Sequence, residues 1–187
     1  MTEYGEMLRE ALRETIPLYP RLPGLVYHSP FEFVFKHGRE YERSKFEGVQ
    51  GVPKMCFGNA IVDAAKHGFR YVEGFALTPE GEVIMHGWCV RPDGRLHDST
   101  WCNTGLAYIG VEFSVERGDD ATWNGDGCVL NDENRGYPIF RQPWTGEDYT
   151  LTWPPSDRLE MLRRSEDTRT PASVAEFLNR LREQMKP

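Results

Sequence analysis

Cysteine is scarce in this chain, and its few cysteines are not arranged in pairs. There are four of them, and no two have the C-x-x-C spacing of a zinc site or a redox pair: Cys56, Cys89, Cys102 and Cys128. The opening residues, MTEYGEMLRE, are charged and contain no apolar segment, so we expect no signal peptide. These absences argue against a disulfide framework. They predict free thiols in a cytoplasmic protein, or a host-cytoplasmic one if the gene is viral.

Basic residues are in the minority, and long apolar runs are missing. Lysine and arginine number 22 against 29 acidic residues, which gives a net charge of −7 and no basic stripe that could bind nucleic acid. No apolar run approaches the roughly 20 residues of a membrane span. With 187 residues, 39% of them hydrophobic, the chain predicts a single domain, 1–187, with its core at about 46–115.

Hydrophobic spacing predicts helices at both ends of the chain and one in the middle. They are expected at 2–16, at 56–66, and at 156–165 and 171–185 within a helical tail at 156–187. The aromatic segment FEFVF at 31–35 predicts a short strand or extended segment.

Three strands with two similar separators follow the central helix. The strands are expected at 70–77, 82–90 and 95–101, and a further one at 108–113. The separators are Pro-Glu-Gly at 79–81 and Pro-Asp-Gly at 92–94. Proline suits the first turn position and glycine a final left-handed one, so each separator predicts a three-residue hairpin loop. The result is an antiparallel meander.

Loop length fixes which side chains share a face of this meander. A three-residue loop at 92–94 makes His86 and Asp98 diagonal neighbours on one face, whereas a two- or four-residue loop would separate them. The loop at 79–81 likewise places Gly74 opposite His86. We expect the space left by Gly74 to be filled by the helix that begins at Cys56.

Cysteine, histidine and aspartate in this arrangement predict an acyl-transfer site. A thiol at a helix N-terminus lies at the positive end of the helix dipole, which favours the thiolate. An adjacent imidazole can take the thiol proton, and a carboxylate behind the imidazole fixes its tautomer. Cys56 is then the nucleophile, His86 the base and Asp98 the residue that orients it. No metal or organic cofactor is required.

The segments HGWCVRPDGRLHDST (86–100) and CFGNA (56–60) resemble papain-like cysteine enzymes of the transglutaminase-like branch. The resemblance covers 53–101 and includes the order Cys, His, Asp and a His-x-Trp strand followed by Asp-x-Thr. It implies an α+β fold with the nucleophile helix packed on an antiparallel sheet, and an amide, isopeptide or thioester hydrolase or transferase. By its offset before Cys56, Gln50 becomes an oxyanion candidate. The layout is also similar to that of uncharacterised bacterial and phage proteins.

The pattern departs from that family at several positions. Gly87 and Cys89 flank Trp88, and Phe57 follows Cys56 where a tryptophan is common. The substrate class therefore cannot be transferred; a protein, a peptide or a small amide or thioester all fit. Trp88 and Asn59 are candidates for contact with substrate; the alternative is packing in the core for Trp88 and a polar position on the helix face for Asn59.

Other readings stay open at this stage. Each triad residue taken singly suits a buried structural role. A zinc set of His86 with cysteines is disfavoured because His86 and Cys89 face opposite sides of a strand. A different class of function is an inactive papain-like fold acting as an acidic binding or inhibitor protein. Its partner surface would be 117–148, a segment rich in Gly, Asp and Asn that predicts a long ordered loop.

Overall fold

The computed structural model describes residues 1–146 and 156–164, so the predicted helix at 171–185 lies outside the described residues. Its helices are α1 (Glu3–Thr15), α2 (Pro30–His37), α3 (Cys56–His67), α4 (Val115–Asn124) and α5 (Asp157–Arg164). Its strands are β1 (Arg39–Glu40), β2 (Arg70–Leu77), β3 (Val83–Val90), β4 (Leu96–His97) and β5 (Ala107–Phe113). Within the described ranges, no helix combines the length and apolar character needed to cross a bilayer.

The five strands form one antiparallel sheet in the order β1-β5-β2-β3-β4. The β2–β3 hairpin has the predicted register, with Gly74 opposite His86. Both predicted three-residue loops are present: the N–H of Thr78 donates to the carbonyl of Glu82, and that of Arg91 to Arg95. The fold is therefore α+β with an antiparallel sheet, as the sequence predicts.

One face of the sheet carries the main apolar core and the helices. Its buried residues come from the strands, from α1 to α5 and from the segment after α4, and include Leu8, Phe33, Ile61, Phe75, Ile109, Leu130 and Leu159. The opposite face carries a smaller cluster, which includes Tyr41, Val72, Trp88, Leu96 and Tyr108. Because strand side chains alternate between faces, His86 lies with Trp88 on the side of the smaller cluster.

Two glycines bring backbones close together at the centre of the sheet. A Cβ on Gly87 would lie 2.7 Å from Cδ1 of Phe57, so Gly87 lets the first turn of α3 pack directly on β3. The expectation for Gly74 is wrong, because a Cβ there would meet the Ile109 carbonyl oxygen at 2.1 Å. Gly74 accommodates the neighbouring strand β5 rather than the helix.

Three expected elements differ from the structure. Residues 31–35 belong to helix α2, because Ser29 Oγ accepts the Glu32 N–H and the Glu32 carboxylate accepts the His28 N–H. The strand predicted at 95–101 ends at His97. The predicted loop at 117–148 contains most of α4, capped by Ser114, and two short 3-10 helices at Val129–Asn131 and Pro138–Phe140.

Candidate active site

Cys56 is the first residue of α3. The preceding residue, Met55, provides no side-chain cap, and the first helical hydrogen bond runs from the Asn59 N–H to the Met55 carbonyl at 2.8 Å. The N–H groups of residues 56–58 therefore have no partner within the helix and lie at its positive end. Cys56 itself is partly exposed. This position favours a negative charge on the sulfur and on any oxygen bound next to it.

His86 and Asp98 form a buried pair. His86 Nε2 lies 2.8 Å from Asp98 Oδ2, and their side chains are 2% and 0% exposed. The imidazole also stacks on the Trp101 ring, with 3.9 Å between ring centroids and 19° between planes. The residues that the predicted register places on one face are thus in direct contact, and the imidazole plane is held on one side by an aromatic ring.

Both oxygens of the Asp98 carboxylate accept hydrogen bonds. Oδ1 accepts the N–H groups of Thr100 and Trp101 at 3.0 and 3.1 Å. Besides His86, Oδ2 accepts the Tyr108 hydroxyl at 3.0 Å. The bonds to Oδ1 fold the chain into a turn directly after β4, which is the reason the predicted third strand stops at His97. Four donors therefore fix the position and orientation of this buried carboxylate.

Cys56 is the second residue whose side chain acts on the imidazole: like Asp98, it raises the pKa of His86. Because Nε2 is bonded to Asp98, Nδ1 is the ring nitrogen left for the sulfur. Burial acts to lower the pKa of His86, but the hydrogen bonds and charges of Asp98 and Cys56 outweigh it and raise that pKa to about 9. The site therefore favours a protonated imidazole between two groups that carry or can acquire negative charge.

The other three cysteines lie in contrasting surroundings. Burial raises the pKa of the Cys89, Cys102 and Cys128 thiols. Cys89 donates its S–H to the Ala60 carbonyl at 3.0 Å and points into the main core, on the face opposite His86. In the described part of the chain, no group of three or more His, Cys, Asp or Glu side chains could hold a metal ion.

Two further residues of α3 attach the helix to the segment that carries Asp98. Asn59 Nδ2 donates to Thr100 Oγ1 at 2.9 Å and to the Val52 carbonyl at 2.8 Å. Asp63 Oδ2 accepts the Ser99 hydroxyl at 2.5 Å. Spacings of three and seven residues from Cys56 place Asn59 and Asp63 on the same stripe of the helix as the cysteine. The stripe fixes the nucleophile relative to residues 98–100.

The remaining predicted site residues do not line the surface around Cys56. Asn59 is 2% exposed and Trp88 is 0% exposed, so neither side chain is accessible to a substrate. Trp88 packs edge-on against Tyr108, and both rings lie close to the His86 imidazole. Gln50 is exposed, next to Gly51, whose N–H donates to the Ser99 carbonyl. Gln50 is not among the residues that line the cavity at Cys56.

That cavity opens beside the nucleophile. It has a volume of about 330 Å³ and is lined by Lys54, Met55, Cys56, Phe57, Gly58, Thr122, Trp123 and Gly127. One wall is thus the start of α3, and the other is the end of α4 with the segment after it. The second wall belongs to the region predicted to be a loop.

Sequence reasoning missed Tyr108, Asp63 and Glu73. Glu73 is 0% exposed and its carboxylate accepts the N–H groups of Val129 and Leu130 at 2.8 and 2.9 Å. A signal was present for two of these residues, because Asp63 and Glu73 each interrupt an otherwise apolar segment, IVDAA and YVEGF. Tyr108 had no such signal, since an aromatic residue in a strand ordinarily indicates packing.

Comparison of the chain with protein-family models, with curated proteins and with solved structures gave no match.

Proposed function

We propose that this protein is a cysteine-dependent acyl-transfer enzyme that acts on an amide, isopeptide or thioester bond. One observation carries the proposal: a thiol at a helix N-terminus lies near an imidazole that is hydrogen-bonded to a buried carboxylate at 2.8 Å. Cys56, His86 and Asp98 then act as nucleophile, general base and orienting residue. Nucleophilic catalysis by such a group needs no metal or organic cofactor.

The reaction follows from these positions. The Cys56 sulfur, its proton taken by His86, attacks the substrate carbonyl carbon and forms an S–C bond. The C–N or C–S bond to the leaving group then breaks, and His86 gives the proton to the departing nitrogen or sulfur. Water, or an amine in a transferase, attacks the resulting thioester with His86 as base. The S–C bond breaks, and the thiol is restored.

The oxyanion formed during attack requires donors close to the sulfur. The N–H groups of residues 56–58 lie at the unpaired end of α3 and beside the cavity. Backbone donors of this kind stabilise an oxyanion without moving during the reaction. We assign the oxyanion site to these backbone groups rather than to Gln50, which does not line the cavity.

The same features support a papain-like fold of the transglutaminase-like branch. The nucleophile begins a helix that packs on an antiparallel sheet, the histidine lies on the strand under that helix, and the aspartate follows on the next segment. The order Cys, His, Asp along the chain agrees with that branch. Within the segment predicted as a loop, Thr122, Trp123 and Gly127 line the cavity, which favours an enzyme over a binding or inhibitor protein.

The test is covalent capture of the acyl group. The protein is mixed with a small aliphatic thioester, quenched in acid and analysed by intact and peptide mass spectrometry. We expect one acyl group on Cys56 of the wild type and of Cys102→Ala, the control that removes another partly exposed thiol. His86→Ala should acylate at least about 100-fold more slowly. Folded protein in which Cys56 acylates no faster than Cys102 would overturn the proposal and favour the binding protein.

A further inference from the structure

The cavity beside Cys56 carries information about the substrate. We propose that it binds an uncharged apolar group, of the size of an aromatic or branched aliphatic side chain, adjoining the reacting carbonyl. This inference rests on the proposed function, because only the role of Cys56 connects the occupant of the cavity to a carbonyl. The supporting observations are the mainly apolar lining of the cavity, its volume, the interactions that hold its far wall in place, and the charge of Lys54.

The lining is mainly apolar. Met55 and Phe57 line the cavity from the start of α3, and Trp123 lines it from α4. Thr122 contributes a hydroxyl group to the same wall as Trp123. This hydroxyl already donates a hydrogen bond to the Gly127 carbonyl at 3.0 Å. A polar substrate group placed here would give up water without gaining an uncommitted side-chain partner from Thr122.

The size of the cavity limits its occupant. Binding sites for whole small molecules span roughly 300–1,000 Å³, and this cavity, at about 330 Å³, is at the low end. Gly58 and Gly127 line it without side chains, which keeps the space open. A single aromatic or branched side chain fits within such a volume.

The far wall is held in place by buried interactions. The Arg158 guanidinium lies 5.2 Å from the centre of the Trp123 ring. Arg158 in turn makes two hydrogen bonds to the buried carboxylate of Asp119, at 2.9 and 3.1 Å. On the other side of Gly127, the Glu73 carboxylate fixes the backbone of residues 129 and 130. A preformed wall binds a rigid apolar group at a lower ordering cost.

The positive charge of Lys54 in the lining favours neutral over cationic substrate groups. Among the described residues that line the cavity, the exposed Lys54 is charged and none is an aspartate or a glutamate. A lysine-like or arginine-like substrate group would therefore lose hydration without gaining an opposite charge, and would be repelled by Lys54.

His86 does not line the cavity, although it lies near Cys56. The leaving group must lie where His86 can protonate it. The cavity is accordingly assigned to the acyl side of the scissile bond.

Binding can be measured separately from the chemistry in the Cys56→Ala protein. The probes are the unreactive N-acetyl amides of phenylalanine, leucine and lysine, and the readout is the indole N–H resonance of Trp123 in NMR titrations. We expect the phenylalanine and leucine amides to shift this resonance and to bind at least about 10-fold more tightly than the lysine amide. Equal binding of all three amides, or no shift of the Trp123 signal, would overturn the inference.

A charge reversal provides the second arm. In the Cys56→Ala background, Met55→Glu places a carboxylate in the lining and should improve the lysine amide relative to the phenylalanine amide by about 10-fold, whereas the matched neutral Met55→Gln should not. An unchanged ratio in Met55→Glu would overturn the inference. Selective binding together with an unreactive Cys56 would sustain the preference of the cavity for an uncharged apolar group and reject the enzyme. A reactive Cys56 with unselective binding would do the reverse.

Discussion

Replacing Asp98 by asparagine tests whether the buried pair holds a charge on His86. Asparagine keeps the shape, and its oxygen can still accept the N–H groups of Thr100 and Trp101. Its NH₂ group, however, would face the imidazole in place of the oxygen that accepts at 2.8 Å. The negative charge that stabilises the imidazolium is then lost.

The magnitude follows from the pKa of His86. A change from the ordinary value of 6.5 to about 9 corresponds to about 3 kcal/mol in favour of the protonated ring. Below pH 6.5 this contribution to folding is complete. Between pH 6.5 and 9 the unfolded chain loses the proton while the folded protein keeps it, so the free energy of unfolding falls as pH rises. Asp98→Asn should remove most of that fall.

The assay is urea unfolding at pH 6.5, 7.5, 8.5 and 9.5. The matched control is Asp93→Asn, in a hairpin loop, where hydrogen bonds from Arg95 lower the pKa of the carboxyl, so that it titrates well below this window. We expect the control to lose stability with pH as the wild type does, and Asp98→Asn to do so by clearly less. A parallel fall in all three proteins would refute a charged His86–Asp98 pair.

Three further predictions use the same unfolding measurement. Asn59→Ala should cost about 2–3 kcal/mol and slow iodoacetamide labelling of Cys56, because the bonds to Val52 and Thr100 are lost; unchanged stability and labelling would contradict the anchoring role. Burial raises the pKa of Glu73 to about 7 against three hydrogen bonds that lower it. Wild-type stability should therefore fall by about 3 kcal/mol between pH 4.5 and 7, and Glu73→Gln should lack this fall; an equal fall in the variant would show that another group titrates. Gly87→Ala should cost about 1–3 kcal/mol, because its methyl group would meet the first turn of α3; a neutral effect would mean that the helix can move away from the strand.

The meander and the His86–Asp98 contact could be predicted because turn chemistry determines register. Pro-Glu-Gly and Pro-Asp-Gly each allow one hairpin length, and that length fixes which side chains share a face. The structure has the corresponding bonds, from Thr78 to Glu82 and from Arg91 to Arg95. Strand alternation carries this prediction as far as His97, and the turn that begins at Asp98 completes the pair at 2.8 Å. The catalytic roles of these residues remain a proposal.

The elements that were wrongly predicted depend on interactions that local propensity does not report. FEFVF has strand-forming residues, but a serine cap and a returning glutamate make it helical. Helix α4 is polar, and its buried Asp119 is held by Arg158, which lies far along the chain. The cavity wall formed by α4 could therefore not be predicted from the sequence, because it depends on an ion pair between residues far apart along the chain.

Cys56, Asn59 and Asp63 lie on one stripe of α3, so the number of residues between them determines how the nucleophile is placed relative to residues 98–100. One residue inserted between positions 59 and 63 would rotate everything after it by about 100°. Asp63 would turn away from Ser99 while Cys56 kept its place at the helix start. Insertions and deletions in this stretch should therefore be far less tolerated than substitutions of the same positions. The number of helical residues between Cys56 and Asp63 therefore sets the position of the nucleophile relative to the segment that carries Asp98.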